Sequence, residues 1–179
     1  MFPLNAPNVL TVMRILLVPV LVVALLDETS SPWLAASVFA AASLTDAIDG
    51  YIARSRQQVT TFGKLMDPVA DKLLIIAALV SLVSLDRLAA WVAMVIIARE
   101  LAVTMSRMAA TGYGLIISAN RWGKVKTAFQ VAAIFLLIAL HPAPAWLDAL
   151  VYVTVAITVA SGIDYFFGLR RQLLRRARV

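Results

Sequence analysis

Six stretches of this chain are predominantly apolar over the length of a membrane span: roughly 8–26, 33–54, 63–84, 88–110, 124–141 and 146–168. About 20 such residues in a helix cross the hydrocarbon layer of a bilayer, and in lipid a single segment satisfies its own backbone amides only as a helix. Breakers separate the stretches: Glu28-Thr-Ser-Ser-Pro32, Ser55-Arg-Gln-Gln58, Leu85-Asp-Arg87, Thr111-Gly-Tyr-Gly114 and His141-Pro-Ala-Pro144. Hydrophobic residues make up 62% of the chain, whereas soluble domains lie nearer one half. The expected fold is therefore all-α, a polytopic membrane protein with six transmembrane helices. No internal repeat or linker divides it, so 1–179 reads as a single domain. The first apolar run carries Arg14 and is followed by Asp27-Glu-Thr-Ser-Ser-Pro32, without the small-residue pattern of a cleavage site. It reads as a retained span.

Charge orients the helices. With both termini in the cytoplasm, every Lys and Arg except Arg87 falls on cytoplasmic segments or their adjoining helices, while Asp27, Glu28 and Asp148 fall on the outer turns. The positive-inside rule selects this topology. The net charge of +6, including the basic tail Arg170, Arg171, Arg175, Arg176 and Arg178, then serves anionic lipid headgroups and not nucleic acid. Trp33, Trp91, Trp122 and Trp146 lie near span ends, the usual place of an aromatic belt. The chain has no Cys and one His, His141 in an outer turn. Any metal must sit on oxygen ligands, which suits Mg²⁺, Mn²⁺ or Ca²⁺.

Two acidic stretches interrupt the apolar pattern. Asp46 and Asp49 are three residues apart, Asp67 and Asp71 four apart, so each pair shares a helix face. Both pairs lie near the cytoplasmic ends of consecutive helices joined by a short connection, which makes those helices antiparallel neighbours. Four carboxylates converging at one depth repel one another. Raised pKa values relieve this, and so do bound divalent cations, which clamp phosphate oxygens during displacement at phosphorus. Gly50 leaves the backbone beside Asp49 open to a ligand, and Arg54, one turn on, is placed to hold a phosphate. From spacing alone, a metal site and a cation- or proton-coupled transport pathway both remain open.

The positions Asp46-x2-Asp49-Gly50-x2-Ala53-Arg54-x8-Gly63-x3-Asp67-x3-Asp71 match, at each of eight fixed residues, the motif of the CDP-alcohol phosphatidyltransferases. The chain resembles that family. Asn8-Val-Leu-Thr-Val-Met-Arg14, Phe62 to Leu73, Ile97-Ala-Arg-Glu100, Gly123-Lys-Val-Lys-Thr127 and Ser161-Gly-Ile-Asp-Tyr165 look like the bacterial branch whose acceptor is sn-glycerol 3-phosphate. The branch using inositol phosphate typically has Arg after the last motif Asp, where this chain has Lys72, and Pro68 also leans away from it. The resemblance implies six transmembrane helices, a homodimer, and a polar cavity open to the cytoplasm at the bacterial inner membrane. It implies two Mg²⁺ or Mn²⁺ ions on Asp46, Asp49, Asp67 and Asp71, with Asp71 also the general base. It implies CDP-diacylglycerol contacts at Gly50, Arg54 and Thr60, with Ala53 and Gly63 shaping the site and Asn8 and Thr11 reaching the nucleotide.

The acceptor phosphate needs basic partners. Arg99, Arg107, Lys124 and Lys126 are the candidates, with an ion pair to a neighbouring helix the alternative for Arg99. Lys124 and Lys126 are two apart and do not share a helix face, so one is expected at the substrate and the other at lipid headgroups. Arg121 reads as a headgroup anchor. The transport reading is disfavoured by Gly50, Ala53, Arg54 and Gly63, which ion coupling does not require. Sister reactions on phosphatidylglycerol or inositol phosphate stay open as alternatives.

Overall fold

The computed structural model describes residues 6–27, 29–56, 61–112 and 121–176, with the backbone alone for 6–10, 46–56, 61–68, 71, 121–122, 173 and 175–176. Among the described residues there are six helices and no strand. They are α1 (Ala6–Leu26), α2 (Pro32–Arg56), α3 (Thr61–Ser84), α4 (Ala90–Gly112), α5 (Arg121–Ala139) and α6 (Trp146–Arg176). Each lies within a few residues of an apolar stretch, except that α6 continues through the basic segment beyond 168. Leu, Gln and Arg are good helix formers, so the end of apolarity is not the end of the helix. By length and composition, Trp146–Gln172 is long and apolar enough to cross a membrane, and Thr11–Leu26, Pro32–Thr45 and Lys72–Ser84 form shorter apolar helical stretches.

The helix ends follow local chemistry. After α1, the Asp27 carboxylate accepts from the Thr29 amide at 3.0 Å, the Thr29 hydroxyl at 2.7 Å and the Ser30 hydroxyl at 2.8 Å. This turn ends at Ser31 and Pro32, and a proline in the first helical turn sacrifices no internal hydrogen bond. After α3, the Arg87 amide donates to the Leu82 carbonyl at 2.9 Å and the Asp86 amide to the Val83 carbonyl at 3.1 Å. Asp86 sits at φ 55°, which completes a Schellman cap with aspartate in the position that favours glycine.

The chain forms two compact units. In the first, residues 1–90 with 134–144, α1 packs against α2 and α3, and α2 against α3. The buried face of α2 is Ala35, Ala36, Phe39 and Ala42; that of α3 is Ala70, Leu74, Ala78, Leu79 and Leu82. These residues recur at helical spacing, and their alanines let backbones approach closely, the pattern by which helices associate where lipid is the solvent. The buried stripe of α1 runs Thr11, Arg14, Leu21, Leu25, and Arg14 is 1% exposed. Sequence reasoning places Arg14 with the cytoplasmic charges; the structure adds that its side chain is buried.

The second unit holds 91–133 and 145–179. Here polar residues enter the buried stripes. On α6, Leu147 and Val151 give way to Thr154, Thr158 and Ser161; on α4, Glu100 interrupts a buried stripe of Val92, Ala93, Ile96, Val103 and Ala110; α5 contributes Lys126 and Gln130. Trp91 stacks on Tyr152 with centroids 6.1 Å apart.

Candidate active site

The acidic motif lies on two packed helices of the first unit. Asp46, Asp49, Gly50, Ala53 and Arg54 fall on the C-terminal turns of α2, and Gly63, Asp67 and Asp71 on the first turns of α3. At 1.5 Å of rise per residue, Asp46 and Asp49 are separated by about 4.5 Å along the axis and Asp67 and Asp71 by about 6 Å. The backbone thus puts all four positions in the adjoining halves of two consecutive, packed helices. Their side chains lie outside the described residues, as does that of Asn8, and Thr60 lies outside them altogether. Thr11 is buried on α1. Among the described residues no group of three or more His, Cys, Asp or Glu gathers to hold a metal. The donor chemistry of the four aspartates, all hard oxygen ligands, fits a divalent cation of the Mg²⁺ or Mn²⁺ kind.

The basic candidates lie in the second unit, and the structure separates them. Arg99 and Lys126 are joined through Glu100. Arg99 Nη1 donates to Glu100 Oε1 at 2.9 Å, and Lys126 Nζ forms an ion pair with the same oxygen. The side chains of Glu100 and Lys126 are each 4% exposed, that of Arg99 15%. Arg99 Nη2 also donates to Ser161 Oγ on α6 at 2.9 Å. One carboxylate therefore ties α4 to α5, and one guanidinium ties α4 to α6. Charges this deep persist only when paired and hydrogen-bonded.

Arg107 is exposed and stands apart from this cluster, with its guanidinium carbon 5.7 Å from the centroid of the Tyr165 ring. Lys124 is exposed while Lys126 is buried, in keeping with their two-residue separation. Sequence reasoning treats Glu100 merely as a neighbour of Arg99 and gives Ser161 no role. The available signal for Glu100 was its register, four residues after Ile96 and three before Val103, both buried. The signal for Lys126 was its helical spacing from Gln130 and Ala133.

Comparison with known proteins places this geometry in a lineage. The model of the CDP-alcohol phosphatidyltransferase family matches residues 4–160, across both units. A Bacillus subtilis (strain 168) CDP-diacylglycerol–glycerol-3-phosphate 3-phosphatidyltransferase is 41% identical over 181 residues, covering 90% of this chain and 93% of that protein. A probable phosphatidylglycerophosphate synthase of Mycobacterium tuberculosis (strain CDC 1551 / Oshkosh) is 40% identical, covering 90% of this chain and 79% of its own length. A Pseudomonas fluorescens protein with the same name as the Bacillus one is 42% identical, with 78% and 75% covered. With the acidic motif intact and the match extending over most of its length, the chain belongs to the CDP-alcohol phosphatidyltransferase family.

Proposed function

We propose that this protein transfers the phosphatidyl group of CDP-diacylglycerol to sn-glycerol 3-phosphate, giving phosphatidylglycerophosphate and CMP in phospholipid biosynthesis. The observation that carries the reading is the complete eight-position acidic motif on α2 and α3, in a chain about 40% identical to proteins named for this reaction. The match of one family model across both units supports a single catalytic domain.

In this reading, Asp46, Asp49, Asp67 and Asp71 hold two Mg²⁺ or Mn²⁺ ions. The bound metal supplies charge neutralisation and polarisation at the phosphate oxygens. Arg54, Gly50 and Thr60 bind the cytidine diphosphate, Ala53 and Gly63 shape its site, and Asn8 and Thr11 reach the nucleotide. Asp71 takes the proton from the primary hydroxyl of the acceptor as its oxygen bonds to the phosphorus bearing diacylglycerol. The phosphorus–oxygen bond to CMP breaks, and CMP leaves with that electron pair. Arg99 and Lys126 receive the acceptor phosphate. Arg offers a two-pronged donor and Lys a point charge, suited to a dianion. Arg107 and Lys124 are the remaining basic candidates, further from the buried cluster in character because both are exposed.

The setting we propose is the bacterial inner membrane, with six spans, both termini and the active site cytoplasmic, and a homodimer as the assembly. Large apolar side chains on outward faces support a lipid environment: Leu16 is 63% exposed, Val23 67%, Met94 66% and Met105 67%. So does the position of Trp33, Trp91 and Trp146, each exposed and in the first turn of an even-numbered helix, the ends that this topology puts on the outer side.

An acceptor panel tests the reading. Purified protein with CDP-diacylglycerol and Mg²⁺ or Mn²⁺ is expected to release CMP on addition of sn-glycerol 3-phosphate and not without it. Faster release with inositol phosphate or phosphatidylglycerol would reassign the acceptor. No release with any alcohol would return the acidic motif to ion transport.

A further inference from the structure

Arg99 is constrained more closely than an ion pair alone requires. Its Nη1 is fixed by Glu100 and its Nη2 by Ser161, both at 2.9 Å. Ser161 is itself oriented, because its hydroxyl donates to the Thr158 carbonyl at 2.9 Å and so turns a lone pair toward Arg99. Gly162, the next residue, makes room for the arginine: a Cβ there would stand 3.2 Å from Arg99 Cγ and 3.6 Å from its Nε. The third donor, Nε, is buried and has no hydrogen-bond partner among the described residues. A purely structural pairing would satisfy that atom, since a buried charged donor left without an acceptor is destabilising.

We infer that Glu100, Ser161 and Gly162 are positioning residues that hold Arg99, and through Glu100 also Lys126, preformed for the phosphate of the acceptor. An arginine side chain carries large rotamer entropy, and ordering it before the ligand arrives removes that cost from binding. Glu100 couples the two cations because a single oxygen accepts from both, although they belong to different helices. Ser161 and Gly162 set the rotamer from α6. This inference rests on the proposed assignment of Arg99 and Lys126 to the acceptor.

The test compares steady-state KM values for sn-glycerol 3-phosphate and for CDP-diacylglycerol in the full-length protein in detergent, with thermal unfolding as the check on folding. Ser161→Ala removes one hydrogen bond to a charged group and is expected to raise the acceptor KM about tenfold, leaving the CDP-diacylglycerol KM unchanged. Ser161→Thr keeps the hydroxyl and is expected to restore the acceptor KM. Gly162→Ala, which adds no charge and removes no hydrogen bond, is expected to shift the same KM in the same direction by crowding Arg99. Glu100→Gln is expected to do so as well, and where it fails to fold the two α6 variants carry the test. Folded Ser161→Ala and Gly162→Ala proteins whose acceptor KM is unchanged, or whose two KM values rise in parallel, would overturn the inference. Arg99→Gln separates the two levels. If it leaves the acceptor KM unaltered, the acceptor assignment itself fails. If it raises that KM while the α6 variants do not, only the positioning role fails.

Discussion

Glu100 on α4 and Lys126 on α5 meet as an ion pair with both side chains almost wholly withdrawn from solvent, 26 residues apart in the chain. Breaking such a pair from one side strands the other charge. Glu100→Leu is therefore expected to lower unfolding stability by about 3 kcal/mol. The double variant Glu100→Leu with Lys126→Leu is expected to recover part of that loss, since it also removes the lysine that has lost its Glu100 counter-charge. Thermal or denaturant unfolding in one detergent, run as a double-mutant cycle, measures the coupling. Additive losses in the two single variants would show that the pair contributes no coupling.

Asp71→Asn keeps the size of the side chain and removes its basicity. Turnover is expected to fall by a factor of about 10² or more while the protein stays folded. Chelation of divalent metal is expected to abolish CMP release, and Mg²⁺ or Mn²⁺ to restore it. Near-normal turnover in a folded Asp71→Asn protein would take Asp71 out of the base role.

Tyr165 offers its ring to Arg107 while its buried hydroxyl has no partner among the described residues. Tyr165→Phe keeps the ring and deletes the orphaned hydroxyl, so stability is expected to rise by about 1 kcal/mol. Tyr165→Leu deletes the ring face as well and is expected to lose about 0.5–1 kcal/mol of cation–π attraction relative to Phe. Unfolding midpoints with Phe highest, and Leu between Phe and Tyr or level with Tyr, would bear this out.

The Asp27 carboxyl lies below its ordinary value of 3.8, first because the Thr29 hydroxyl donates to it, then because the Ser30 hydroxyl and the Thr29 amide do. A depressed folded pKa means that the stabilisation is present above the unfolded value and is lost as pH falls through the folded one. Asp27→Ala is thus expected to be less stable than the parent protein at pH 7, and the gap to close as pH falls below 3.8. Unfolding midpoints of both proteins across that range test it; a gap that persists at the acid end would assign the effect to something other than ionisation.

Asp86 occupies the left-handed position of the cap after α3, at φ 55°. Aspartate tolerates that region at some strain and glycine does so freely, so Asp86→Gly is expected to gain roughly 0.5–1 kcal/mol in stability. The measurement is again the unfolding midpoint, with Asp86→Ala as the contrasting variant that should lose stability.

The helices were legible because apolar runs interrupted by Pro, Gly and charge leave few alternatives, and the acidic motif because its members are local, three or four residues apart. What escaped the sequence was long-range. The pairing of Lys126 with Glu100 and of Arg99 with Ser161 depends on which helix faces which, and residue spacing within one helix carries no such information. The burial of Arg14 was illegible for a related reason: a rule that counts charges near span ends does not say whether a side chain is exposed or enclosed. The extension of α6 through Arg170 and Arg171 was missed because apolarity and helicity were read as one signal, though they end at different residues.

Helix α6 has 31 residues, about 46 Å at the usual rise. The apolar layer of a bilayer is about 30 Å thick. Standing upright across the membrane, as proposed, α6 would exceed that layer by about 16 Å, and its C-terminal turns are the arginine-rich ones. In the proposed topology that excess matches the depth of the headgroup regions, so the last turns of α6 would hold Arg170 and Arg171 on a rigid helical extension at the level of anionic headgroups.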